Sequence, residues 1–221
     1  MIDSHQLIHI NVIPAFPVYI FDIDGTLLDS AADLCGAVRQ VLFKHIPEPP
    51  PPEHFKRFIG YHLDEFFLDV LPHFAREQLD ELIVEWRKVY PARGHAETRV
   101  YPGVTDLLEH LPGRKTTATT KGSAAARAVL DQFGLLPFFD HVQGTDGFGY
   151  KPKPDVILHA ISALNAKPED CLFVGDSETD MEAGRRAGVK VCAVRYGYGN
   201  PEALAKWNPD YWISCLTELQ P

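Results

Sequence analysis

The sequence predicts an α/β fold: a doubly wound parallel sheet with a Rossmann-like core and a small inserted α-helical cap domain. Three observations predict it. From Tyr101 onward, short β-branched and aromatic runs alternate with stretches of helical period, as βαβ units require. That alternation is interrupted once, between residues 31 and 99, where the pattern is helical throughout. Acids, threonines and a lysine loop follow the apolar runs, where an open parallel sheet presents its ligand crevice. With 221 residues the chain can bury roughly 70–75% of its unfolded surface, enough for one domain carrying a substantial insertion.

Taken in order, residues 1–13 form an N-terminal arm with little pattern. The first buried strand spans Val18–Phe21, and its continuation to residue 30 belongs to the core. Residues 31–99 then place Leu34, Val38, Val41 and Leu42, next Phe66, Phe67, Val70 and Leu71, and finally Leu79, Leu82, Ile83 and Trp86 at spacings for three or four amphipathic helices. Pro47 to Pro52 reads as a stiff, non-helical connector between two of them. The core resumes over 100–221. Strands are expected at 115–119, 141–144, 171–174, 190–194 and 211–214, with helices at 104–111, 123–133, 154–164 and 179–187.

Composition removes several classes of function. There are 30 acidic against 21 basic side chains, a net charge of -9, and no Lys/Arg-rich run, so neither nucleic acid nor an anionic membrane is an expected partner. No apolar run approaches the ~20 residues of a membrane span, and no basic-then-apolar leader opens the chain, which makes the cytoplasm the expected compartment. The four cysteines are widely spaced, without a C-x-x-C pair, and read as buried free thiols. Ten histidines show no zinc-ligand spacing.

The chemistry concentrates in four segments. Val18 to Asp29 runs from an apolar strand into Asp22, Asp24 and Gly25, which aims two acids at the crevice. Thr116 to Gly122 brings hydroxyls to a helix start that would hold phosphate oxygens. Gly149 to Asp155 fixes Lys151 between prolines, where it would neutralise an anion. Phe173 to Asp180 is again a strand, a glycine turn and acids. Oxygen ligands without His or Cys select Mg²⁺, which keeps waters and accepts substrate phosphate.

These segments, in this order, resemble the haloacid dehalogenase superfamily of phosphohydrolases, with Asp22 to Thr26 similar to its first motif, Thr119 its second, Lys151 its third, and Gly175-Asp176 through Asp180 its fourth. Tyr101 to Val104, Ala183-Gly184, Ala187-Gly188 and Gly197-Tyr198-Gly199 extend the likeness, and the 31–99 insertion resembles the cap of the phosphoglycolate phosphatase-like branch. The resemblance implies that Asp22 is the nucleophile and Asp24 the general acid and base. It implies Mg²⁺ on Asp22, Asp176 and the Asp24 carbonyl, with Asp180 supporting that shell. Thr119, Lys151, Gly25, Thr26 and the neighbouring Thr120 would hold phosphate, although Thr120 departs from the branch's more common asparagine. Arg57 and Gly60, with Tyr61 and His62, are candidate cap contacts to substrate. The expected partner is a small phosphorylated metabolite, 2-phosphoglycolate first; the sequence does not read on oligomeric state.

The same core would serve a mutase of the β-phosphoglucomutase type or an inorganic pyrophosphatase. A dehalogenase would need neither metal nor a second acid. A receiver-like signalling module would carry no cap and no acid two residues beyond its acceptor. A glycosidase would need carboxylates that straddle a sugar bond.

Overall fold

The computed structural model describes residues 13–219, so the arm expected over 1–13 lies, apart from Ile13, outside the described residues. The chain forms strands β1 (Val18–Phe21), β2 (Leu28–Asp29), β3 (Arg99–Val100), β4 (Arg114–Thr117), β5 (Cys171–Gly175), β6 (Lys190–Val194) and β7 (Tyr211–Ile213). Helices are α1 (Ala31–Leu42), α2 (Pro52–Phe55), α3 (Leu63–Leu68), α4 (Arg76–Ala92), α5 (Val104–His110), α6 (Ser123–Gln132), α7 (Asp155–Ala163), α8 (Glu178–Ala187) and α9 (Pro201–Ala205).

Five strands make one parallel sheet in the order β4-β1-β5-β6-β7. Every strand of its centre is apolar on both sides because helices cover both faces. In β1, Tyr19 and Phe21 pack into one core and Val18 and Ile20 into the other; β5 divides Leu172 and Val174 from Cys171 and Phe173 in the same way. The chain leaves β1 to one side for β4 and returns to its other side for β5, so β1 and β5 flank the switch point where such sheets open a crevice.

Residues 31–90 build a third, separate core. Val38 and Leu42 of α1, Phe55 of α2, Phe67 of α3 and Leu82 of α4 are almost fully buried against one another. Antiparallel β2 and β3 form the two-stranded neck that joins this helical unit to the sheet. Asp33, fully buried, closes the neck: it accepts hydrogen bonds from Glu97 N (2.9 Å), Thr98 Oγ1 (2.9 Å) and Arg93 Nε (3.2 Å).

Four expectations need correction. Of the four cysteines expected to be buried free thiols, Cys215 is exposed, while Cys35, Cys171 and Cys192 are buried and free. Pro52 is helical, sitting at the first position of α2, where a missing N–H costs no helical bond. Arg99 lies in β3 and not in a helical run. Residues 141–144 form no ladder strand; Thr117 instead clasps the segment, its Oγ1 donating to Gln143 O and accepting from Gln143 N, both at 2.9 Å. Thr145 Oγ1 likewise donates to Thr119 O at 3.0 Å, so threonine hydroxyls replace backbone pairing beside β4. Among the described residues, no helix is long and apolar enough to cross a membrane.

Candidate active site

The site begins where β1 ends. Asp22 N donates to Val174 O (2.9 Å), which continues the pairing with β5 one residue past the strand. The chain then turns tightly, with the N–H groups of Leu27 and Leu28 donating to Ile23 O at 2.9 Å. Gly25 makes that turn at φ 85°, and a side chain there would collide with the carboxylate of Asp176. The turn therefore requires glycine both for its backbone and for the space Asp176 occupies.

Asp176 and Asp180 enter from the end of β5 and the first turn of α8. Ser177 caps α8 and forms a capping box with Asp180, whose Oδ2 accepts from Ser177 N (2.9 Å), Ser177 Oγ (2.6 Å) and Asp176 N (3.2 Å). Asp180 Oδ1 accepts from Lys151 Nζ at 2.5 Å, and the same ammonium donates to Asp22 Oδ1 at 2.7 Å. Tyr198 N holds Asp176 Oδ2 at 2.7 Å, and Thr26 Oγ1 reaches Asp176 Oδ1 at 3.4 Å. Asp22, Asp176 and Asp180 offer oxygens that all lie within 4.8 Å of one another.

Electrostatics follow from burial. Removal from water pushes the Asp22 carboxyl up to about 7; Lys151 opposes this, while Asp180 and Asp24 add to it. Burial raises Asp176 well above the carboxylate range, reinforced by the charges of Asp180 and Asp22. Burial disfavours the charge of Lys151, but Asp180 and Asp22 outweigh it and hold the ammonium above the ordinary lysine range.

Asp24 faces the other way. Its Oδ2 accepts from Lys121 Nζ at 2.6 Å and its Oδ1 from Ser30 Oγ at 2.5 Å. Lys121, half-buried with its side chain only 9% exposed, lies 5.1 Å over the Tyr90 ring and is a site residue that sequence reasoning passed over. The available signal was its place two residues beyond Thr119, at the same sheet edge as Asp24. Thr119 is fully buried two residues beyond β4, with Oγ1 accepting from Lys121 N (3.3 Å), and β4 runs in register with β1 at Phe21 and Thr117.

The helical unit closes over this edge. Gly60 O accepts from Thr179 Oγ1 (2.8 Å), Tyr61 Oη donates to Glu178 Oε2 (3.3 Å), and the His62 ring stacks on Tyr150 at 4.0 Å. A cavity of about 590 Å³ lies between the unit and the sheet, lined by Asp24, Thr120, Lys121 and Gly60 among others. Arg57 is not brought there: its guanidinium donates to Asp69 Oδ1 at 2.7 Å on the exposed side of the unit.

The donor set fits a hard divalent cation. With all four ionised, Asp22, Asp24, Asp176 and Asp180 would carry four negative charges against the two ammonium groups of Lys121 and Lys151, a surplus of two that a divalent cation would cancel. The converging atoms are all oxygen.

The sequence model of haloacid dehalogenase-like hydrolases matches residues 19–194. The chain is 32% identical to a phosphoglycolate phosphatase of Aquifex aeolicus over 91% of this chain and 94% of that protein. It is 29% identical to a 5'-nucleotidase of Pseudomonas aeruginosa, covering 93% and 94% of the two. A Bacteroides fragilis haloacid dehalogenase-like hydrolase of solved structure superposes with a TM-score of 0.87 at 30% identity, covering 92% of this chain and 99% of its own.

Proposed function

This chain belongs to the haloacid dehalogenase-like hydrolase family, and from that premise we propose that it is a Mg²⁺-dependent phosphatase acting on a small phosphomonoester. The carrying observation is Lys151 bridging Asp22 and Asp180 beside Asp176, at the switch point of a parallel sheet.

A phosphomonoester brings about two negative charges toward a carboxylate nucleophile, and that repulsion must be removed before attack. Lys151 is rigidly placed to take part of this charge. Mg²⁺, held by Asp22 and Asp176 with Asp180 behind them, would supply the remaining neutralisation of phosphoryl and carboxylate oxygens. Asp22 uses Oδ1 on Lys151, which leaves Oδ2 to attack phosphorus. Thr119 and Thr120, just beyond β4, and Gly25 and Thr26, in the turn beyond β1, would hold the phosphoryl oxygens. Asp24 protonates the departing alcohol, then takes a proton from the water that hydrolyses the aspartyl phosphate on Asp22. Residues 31–99 act as a cap over the 14–30 and 100–221 core, and contacts at Gly60, Tyr61 and His62 exclude bulk water from the reacting groups. Likeness to the Aquifex aeolicus relative makes 2-phosphoglycolate the reference substrate.

The test is phosphate release by purified protein from acetyl phosphate and 2-phosphoglycolate, with Mg²⁺ and after chelation. Activity is expected with Mg²⁺, loss after chelation, and a fall of at least about 100-fold in Asp176→Ala, since charge on the phosphoryl group would go unneutralised. Undiminished turnover in metal-free protein contradicts the reading.

A further inference from the structure

Resting on the phosphatase reading, we propose that the substrate is the phosphomonoester of an uncharged, ring-bearing alcohol of roughly nucleoside size, whose ring packs against the cavity-lining Trp86, itself held by its stack on Tyr90.

The cavity has Asp24, the proposed acid for the leaving group, in its lining, so the alcohol lies inside it. At about 590 Å³ it falls within the range that buries ligands many times larger than a two-carbon acid. Its walls are flat. The rings of Trp86 and Tyr90, four residues apart on α4, are stacked at 4.7 Å and 11°. The lining residues Tyr150 and His62 stack on each other at 19°. Aromatic faces of this kind favour a planar ring over a short, hydrated chain.

Charge argues the same way. A carboxylate-bearing alcohol such as glycolate needs a free cation at the far end of its pocket. Lys121, whose side chain is only 9% exposed, is already paired with Asp24 at 2.6 Å. His62 is paired with Asp64, Asp146 adds a further carboxylate, and Arg87, which makes no ion pair among the described residues, is exposed and so anchored by no buried partner. Among the described lining residues, no buried cation is left for a second anionic group.

Tyr90 adds a second pointer, beside the Lys121 ammonium that lies 5.1 Å from its ring centre. Only 6% exposed, it lines the cavity, and its hydroxyl has no hydrogen-bond partner within the chain. A buried unpaired donor is costly, and a polar atom on the ring or its sugar would satisfy it.

The experiment compares kcat/KM, with Mg²⁺, for UMP and pyridoxal 5'-phosphate as ring esters, and for 2-phosphoglycolate, glycerol 3-phosphate and acetyl phosphate as small ones. At least one ring ester is expected to exceed 2-phosphoglycolate and glycerol 3-phosphate by 10-fold or more; the two ring arms separate a nucleoside from a pyridine alcohol. Asp22→Asn protein, which cannot turn over, is expected to bind that ring ester at least 10-fold more tightly than 2-phosphoglycolate by calorimetry. Trp86→Ala is expected to lower the ratio of ring-ester to acetyl phosphate kcat/KM about 10-fold, mostly through KM, and Trp86→Phe to restore most of it. Should Trp86→Ala not fold, Tyr90→Phe, which keeps the ring and removes the unpartnered hydroxyl, reads the same cavity by a several-fold fall in that ratio. Preference for 2-phosphoglycolate, or a ratio indifferent to Trp86 and Tyr90, overturns this inference and leaves the phosphatase standing. Absence of phosphate release from every ester, acetyl phosphate included, overturns both.

Discussion

Lys121 separates what a residue's neighbours in sequence reveal from what its neighbours in space do. Asp22, Asp24 and Asp176 are legible in the chain because each follows an apolar run, and a parallel sheet carries the ends of such runs to one edge. Lys121 is a lysine in a loop before a helix, a pattern that usually means a solvated side chain. Only the register of β4 beside β1 shows it turned inward onto Asp24. Arg57 is the converse: a cation in a plausible place, drawn away by Asp69. Lys121→Met should leave Asp24 less well oriented for proton transfer. On an ester with a poor leaving group, kcat is expected to fall roughly 10- to 100-fold, and by much less on an activated aryl ester. Equal losses on both esters would show that Lys121 does something other than position the acid.

At the scale of elements, pattern located every strand of the five-stranded sheet and erred where hydroxyls stand in for a ladder. Residues 141–144 have strand-like composition, but their partner is the Thr117 side chain, and periodicity carries no trace of that. Thr117→Val keeps the shape and strands both backbone groups of Gln143, so about 2 kcal/mol of stability should be lost, read as the denaturation midpoint in urea. At the far edge, Asp210 joins β6 to β7 by accepting from Arg185 Nη1 (2.8 Å), Lys190 Nζ (2.8 Å) and Val191 N (3.0 Å). Partial burial favours its neutral form, but Lys190, the Val191 amide and Arg185 outweigh that and depress the pKa. A carboxyl lowered on folding stabilises above its unfolded pKa and loses that contribution as pH falls through the folded one. Asp210→Asn should therefore lower Tm by a few degrees near pH 7, with the difference shrinking below about pH 4. A difference that persists unchanged to about pH 2 would assign the effect to packing.

Over the whole molecule, the helical unit and the sheet each bury their own core, and the candidate site lies in the seam between them. The insertion was legible as an interruption in the strand-helix alternation. The width and aromatic lining of the seam were not, because they arise from the approach of α4 to the sheet edge, which no local pattern encodes. The central claim is that Asp22 carries the phosphoryl group while Asp24 governs its release. It is tested most directly by intact-protein mass of Asp24→Asn, quenched rapidly during reaction with an activated aryl phosphate and Mg²⁺. The account predicts one added phosphoryl group, mapped by peptide to Asp22 and absent when Asp22→Asn is combined with it. Turnover at the wild-type rate on a poor leaving group, or a phosphoryl adduct that survives the loss of Asp22, would contradict it.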